Sequence, residues 1–138
     1  MYPWQVSERG IEQTPRNGGA YYAIHIVADI AYAVRQYVRM TGDEAFLWDM
    51  GAEILTETAR FWSSRCDYSE QDGRYHIRAV RGPNEYDVFV NDNAYTNAMA
   101  RLNLRTAAQV LRLLDKPPST AEKIIRNLKK WHYITDIE

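Results

Sequence analysis

The sequence predicts an all-α chain, one portion of a larger helical array, with a small β-hairpin let into it. Three observations lead there. Apolar residues recur at three- and four-residue intervals over several stretches. The segments between those stretches are long and rich in Gly, Pro, Asn and aromatic residues. One stretch, 66–79, abandons the helical period around an Asp-Gly pair, the usual signal of a hairpin turn.

Residues 1–20 are expected to be irregular, because Pro3, Gly10, Pro15, Gly18 and Gly19 interrupt any regular element. A loop of that length in a compact domain is often functional. From about Tyr21 a helix is predicted, with Ile24, Ala28, Ala31, Val34 and Val38 on one apolar face and Gly42 as its left-handed cap. Asp43 is placed to cap the next helix, which runs through Phe46, Leu47, Met50, Ile54, Ala59 and Trp62.

The hairpin follows, with Tyr68 on one arm, a Gln71-Asp72-Gly73 turn, and Tyr75 and Ile77 on the other. Gly82-Pro83 opens a second irregular segment that runs to Asp92. Asn93 is expected to cap a third helix, through Ala94, Ala98 and Leu102 to Leu114. Pro117-Pro118 breaks it, and Ser119 with Glu122 has the capping-box spacing for a shorter helix towards Trp131. Nothing in composition divides the chain, so 1–138 is expected to be a single segment. Its loops have the character of a rim, and no stop signal follows Ile137-Glu138.

Composition narrows the function. The chain has 138 residues, 46% hydrophobic and 25% charged, as in globular proteins. A formal net charge of -1 argues against nucleic-acid partners, which need a basic surplus. No apolar run is long enough to span a membrane, and the first residues show no signal-peptide pattern. Cys66 is the single cysteine, so a reducing, cytoplasmic setting is expected and Cys66 reads as a small buried hydrophobe.

The segment Arg81-Gly82-Pro83-Asn84-Glu85-Tyr86-Asp87 carries the most chemistry. Gly82 and Pro83 restrict the turn that presents Glu85. Cleaving a glycosidic bond requires a proton on the bridging oxygen, and a carboxylic acid in an apolar, aromatic setting can deliver it near neutral pH. Tyr86 and Phe89 are the residues expected to furnish that setting. Asn91-Asp92-Asn93 lacks the ligand spacing of a calcium loop, so Asn93 is read as a cap and no metal is expected. Arg101 and Arg105, on the helix that follows, could face a phosphate but read better as a solvated helix stripe.

Gly82-Pro83-Asn84-Glu85-Tyr86, followed by Val90-Asn91-Asp92-Asn93-Ala94-Tyr95-Thr96-Asn97, resembles the signature of glycoside hydrolase family 65. That family holds maltose, kojibiose, nigerose and trehalose phosphorylases. Met1-Tyr2-Pro3-Trp4-Gln5 is similar to the family's Tyr/Phe-Pro-Trp-Glu/Gln strip, and Ile24 to Tyr32 to its His-containing barrel helix. Gly51 to Leu55 with Thr58 to Trp62 is similar to the helix after it. The resemblance runs over nearly the whole chain, in the family's order. It implies a partial (α/α)6 barrel and inversion at the anomeric carbon. It also implies Glu85 as the general acid and Trp4 and Gln5 at the glucose subsite. His25, Tyr86 and Asp87 are read, from their places in the chain, as candidates for supporting positions.

The implied reaction is inverting phosphorolysis of an α-linked glucosyl disaccharide to β-glucose 1-phosphate and a sugar. Disaccharide and inorganic phosphate are then the partners, phosphate being a co-substrate, with no cofactor. A trehalose-type hydrolase of the same family is the alternative; it needs a second carboxylate to activate water. Asp29, Glu53, Glu57 and Asp87 are the carboxylates available, the first three reading as ordinary helix charges. An inert fragment that only self-associates or binds sugar weakly is the third possibility. Gln5 replaces a frequent Glu, Val27 a frequent polar residue and Asp87 a frequent His or Glu. The family's phosphate-binding residues belong to later barrel segments, and an upstream Trp-Asp strip precedes the matched region.

Overall fold

The computed structural model describes residues 2–15 and 19–113. Leu114, the Pro117-Pro118 break and the helix expected from Ser119 towards Trp131 lie outside the described residues.

Three helices pack pairwise against one another. Helix α1 spans Ile26–Thr41 and ends on Gly42, whose φ of 69° is the left-handed conformation expected there. Asp43 then caps α2, Glu44–Phe46, accepting the Phe46 N–H at 2.9 Å. A π turn over Leu47–Gly51 leads into α3, Ala52–Arg65, so the second predicted helix is continuous in path but locally widened. Strands β1, Asp67–Ser69, and β2, Arg74–His76, form the hairpin, with Tyr68 opposite Tyr75 and their rings 5.1 Å apart. Helix α4, Ala94–Leu113, returns along α1 and α3.

Helix α1 begins later than its apolar period suggests. The carbonyl of Tyr22 accepts the Arg81 N–H at 2.8 Å and is not free for the helical ladder. Residues Gly19–Tyr22 form a 3-10 turn instead.

The main core lies where the three helices and the hairpin end meet. Val27, Ala28, Ala59, Trp62, Ile77, Val80, Ala100, Leu104 and Ala107 are all buried there. The small residues Ala28, Ala59, Ala100 and Ala107 let the helix backbones approach, and Trp62 fills the volume between them. Ala31, Val34, Leu55 and Val110 extend the core towards the far end. Cys66 packs against the main core, and burial pushes its thiol up to about 12, so it stays a neutral filler as expected. Among the described residues no helix is long and apolar enough to cross a membrane.

Candidate active site

The first irregular segment is a knot tied by one carboxylate. Glu12 accepts the N–H groups of Trp4 at 2.8 Å, Gln5 at 3.2 Å and Thr14 at 2.8 Å, as well as the Thr14 hydroxyl. Val6 and Glu12 form an isolated antiparallel bridge, and Gly10 turns the loop with φ 75°. The Thr14 hydroxyl, opposed by burial and aided by the three N–H groups, lowers the Glu12 carboxyl from its ordinary 4.5 to about 2. Sequence reasoning missed Glu12, because nothing local marks a carboxylate as the partner of amides eight residues upstream. What it does is hold the backbone of Trp4 and Gln5 in place.

The indole of Trp4 stands edge-on to the His25 imidazole, ring centroids 5.5 Å apart. Tyr95, in the first turn of α4, meets the same imidazole edge-on at 5.8 Å and donates its hydroxyl to Asp29 at 2.8 Å. His25 is buried, and its Nδ1 lies 3.2 Å from the carbonyl oxygen of Arg81. A carbonyl only accepts, so Nδ1 carries the proton. One histidine therefore joins the Trp4 loop, the start of α1, the start of α4 and the Glu85 loop.

The Glu85 loop is built against local preference. Ala79, Glu85, Phe89 and Asp92 all have φ between 53° and 62° without being glycine. Each left-handed residue of this kind costs about 1 kcal/mol or more, so the surroundings must hold it. They do so at several points. Val80 and Val90 exchange N–H···O bonds at 2.9 Å. Ala79 donates its N–H to the Asn91 side chain at 3.0 Å, and the Arg81 Nε donates to the Glu85 carbonyl at 2.8 Å. Glu85 in turn donates its N–H to the Gly82 carbonyl at 3.2 Å, closing the turn.

Gly82 serves this site differently from the sequence expectation. Its own φ is not left-handed; a Cβ there would lie 2.5 Å from the Asn93 Nδ2. Asn93 accepts the N–H of Thr96 at 3.0 Å as the α4 cap, so the glycine lets the Glu85 turn pack on that cap.

The Glu85 side chain is 48% exposed, with the Arg81 guanidinium 3.7 Å from its carboxylate. The expected aromatic setting does not form around it. Tyr86 is 94% exposed and covers nothing, while Phe89 packs edge-on against Tyr22 at 4.6 Å. The reason is the backbone: the left-handed turns at Glu85 and Phe89 send neighbouring side chains outward. Asp87 is exposed and meets the Asn84 Nδ2 at 3.3 Å. Gln5 is exposed. The structure thus links Trp4, His25 and the Glu85 loop, and leaves Tyr86 and Asp87 at the surface. Arg81, Tyr22 and Tyr95 complete the arrangement; Arg81 had a signal in its place beside Gly82-Pro83, and Tyr22 had none.

The remaining carboxylates lie apart from this arrangement or are engaged. Glu57 pairs with Arg60 at 2.9 Å on α3, Glu53 is exposed there, and Asp29 holds the Tyr95 hydroxyl. A cleft of about 270 Å³ lies beside Tyr2, Val27, Glu57, Thr58 and Phe61.

Comparison with known proteins bears on the family and the fold. Residues 1–137 match the glycosyl hydrolase family 65 central catalytic domain. A kojibiose phosphorylase of Caldanaerobacter subterraneus is 43% identical over 122 residues, covering 80% of this chain and 16% of that protein. An alpha,alpha-trehalose phosphorylase of Geobacillus stearothermophilus is 43% identical over 139 residues, covering 100% and 17% respectively. The chain thus spans about a sixth of these relatives. A solved kojibiose-phosphorylase-like structure from the human microbiome superposes with a TM-score of 0.77 at 23% identity, over 91% of this chain and 20% of that one. The helices described above are accordingly a portion of an (α/α)6 barrel. This chain belongs to glycosyl hydrolase family 65 and lies within its central catalytic domain.

Proposed function

We propose that this chain supplies the acid side of a disaccharide phosphorylase site, within a larger (α/α)6-barrel catalytic domain, and that Glu85 is the general acid. The observation that carries the reading is the strained, clamped turn that presents Glu85: φ 58° at a half-exposed carboxyl, with its own carbonyl held by Arg81. Strain of that kind persists where a group must be aimed. The contact chain from Trp4 through His25 to Arg81 puts the sugar-facing indole and the acid under common control.

In this mechanism Glu85 protonates the bridging oxygen of an α-linked glucosyl disaccharide as the bond to the anomeric carbon breaks. Inorganic phosphate attacks the opposite face, and the products are β-glucose 1-phosphate and the released sugar. Phosphate is already anionic, so a single protein carboxyl group satisfies the proton chemistry, whereas an inverting hydrolase needs two. Among the carboxylates of this chain, Asp29 is engaged by Tyr95 and Glu57 by Arg60, so a hydrolase of this family would draw its base Glu from another part of the whole protein. Trp4 offers its π face to sugar C–H groups and Gln5 a hydrogen-bonding amide. Phosphate is positioned by other parts of the whole protein.

The test is turnover of α-linked glucosyl disaccharides by the whole protein, with and without phosphate. Phosphate-dependent release of β-glucose 1-phosphate supports the reading; phosphate-independent release of glucose makes the protein a hydrolase.

A further inference from the structure

The loop that presents Glu85 has a neck, and the neck is held by a histidine outside the signature. His76 ends β2, and its imidazole lies between two carboxylates, Nδ1 2.7 Å from Asp92 Oδ2 and Nε2 3.0 Å from Asp72 Oδ2. Both contacts are hydrogen bonds only if both ring nitrogens carry protons. The side chain is 12% exposed, so water competes weakly for either nitrogen.

Asp92 is the other half of the neck. It stands at φ 53°, donates its N–H to the Ile77 carbonyl at 2.8 Å, and accepts the Ile77 N–H on Oδ1 at 3.1 Å. Residues 77 and 92 are thereby clasped twice at the neck of the loop that carries Glu85; the Val80–Val90 pair and the contacts of Arg81 with Tyr22 and His25 hold it further along. His76 occupies the remaining oxygen of the same carboxylate and ties it to Asp72 in the hairpin turn. The hairpin is thus a brace for the Glu85 loop.

We propose that His76, as an imidazolium between Asp72 and Asp92, is a positioning residue that locks the neck of the Glu85 loop and so sets the aim of that carboxyl group. The proposal rests on the reading of Glu85 as the acid. The two carboxylates occupy both ring nitrogens of His76, so it acts through Asp92. The charge balance favours the cation: Asp72 faces it from the turn, Asp92 from the loop, and Asp67 is its cross-strand partner in β1. Arg65, at the end of α3, is engaged with the Arg78 carbonyl. The hydrogen bond to Asp92 raises the His76 pKa, against burial, with Asp72 adding to the rise. A raised folded value means the lock is complete below the ordinary 6.5 and is lost as pH rises through the folded value.

The experiment uses the whole protein, labelled with ¹⁵N-histidine to read ring protonation and followed by hydrogen-exchange mass spectrometry to read the backbone amides, and the variants His76→Gln and His76→Ala. The expected result is a doubly protonated His76 ring at pH 7, with slow exchange of the Ile77 and Asp92 amides. His76→Ala should lower kcat about 10- to 100-fold, the scale of a misaimed group, and leave the disaccharide KM within about twofold. His76→Gln, which keeps one donor to one carboxylate, should fall between wild type and alanine and remains informative if alanine fails to fold. A neutral ring at pH 7 overturns the proposal, as does an unchanged kcat in His76→Gln and His76→Ala, or an effect confined to KM. The ring and exchange measurements do not depend on turnover. Failure of Glu85 as the acid, seen as full activity in Glu85→Gln, is therefore distinguishable from failure of the lock.

Discussion

His25 and Arg81 are 56 residues apart in sequence, and the buried imidazole of the first brings its Nδ1 to 3.2 Å from the backbone carbonyl of the second. Removing the imidazole would leave a carbonyl without its partner and take away the edge on which Trp4 packs. His25→Ala should therefore destabilise the chain by about 1–3 kcal/mol, the cost of an unmet buried polar group. It should also shift Trp4 fluorescence. Chemical denaturation reads the first effect, and an unchanged midpoint would show that the carbonyl finds water instead.

Glu85→Gln in the whole protein should reduce turnover by at least about 10²- to 10⁴-fold while preserving shape. Trp4→Ala should instead raise KM for the disaccharide and leave the melting temperature nearly unchanged, because Trp4 is already 36% exposed. Near-normal turnover in the first variant, or a large loss of stability with normal kinetics in the second, would reverse those assignments.

Gly82→Ala is predicted to be harmful out of proportion to its size. The added Cβ would sit 2.5 Å from the Asn93 Nδ2, so either the Glu85 turn or the α4 cap must move. The expected cost is about 1–3 kcal/mol, as for other overpacked sites, together with a loss of turnover. A crystal structure of the variant with both the Glu85 turn and Asn93 undisplaced would rule out this account.

Low pH should untie the Trp4 loop. Glu12 has its carboxyl lowered from 4.5 to about 2, so its contribution is full above pH 4.5 and is lost as pH falls through about 2. The difference in melting temperature between wild type and Glu12→Gln should shrink across that window. A difference that stays constant from pH 5 to pH 2 would mean that Glu12 does not titrate as the structure implies.

The 138-residue chain by itself is expected to self-associate and to show no phosphorolysis. Tyr32, Tyr37, Met40, Trp48 and Met50 leave large apolar surface exposed on the α1 to π-turn side. Monomers seldom leave more than a few hundred Å² of such surface uncovered. Sedimentation at increasing concentration tests the first expectation, and release of glucose 1-phosphate the second. A persistent monomer or measurable turnover would contradict them in turn.

Several elements of this chain were legible in its sequence because the forces behind them act within a few residues. Gly42 as a left-handed cap and Asp43 and Asn93 as helix caps depend on neighbours three or four positions away, and the hairpin about Asp72-Gly73 pairs residues no more than nine apart. The motif around Glu85 was legible for the same reason: its residues are contiguous. What only the tertiary structure decided involves partners far apart in the chain. Tyr22 lends its carbonyl to Arg81, so α1 starts at Ile26 and not at Tyr21. Gly82 is needed for its approach to Asn93, and His76 for its place between Asp72 and Asp92. The aromatic shelter expected from Tyr86 and Phe89 fails because left-handed backbone turns set where their side chains point. Periodicity and capping are short-range preferences that a sequence carries openly. The direction of a side chain in a strained loop is fixed by hydrogen bonds that exist only once distant segments have met.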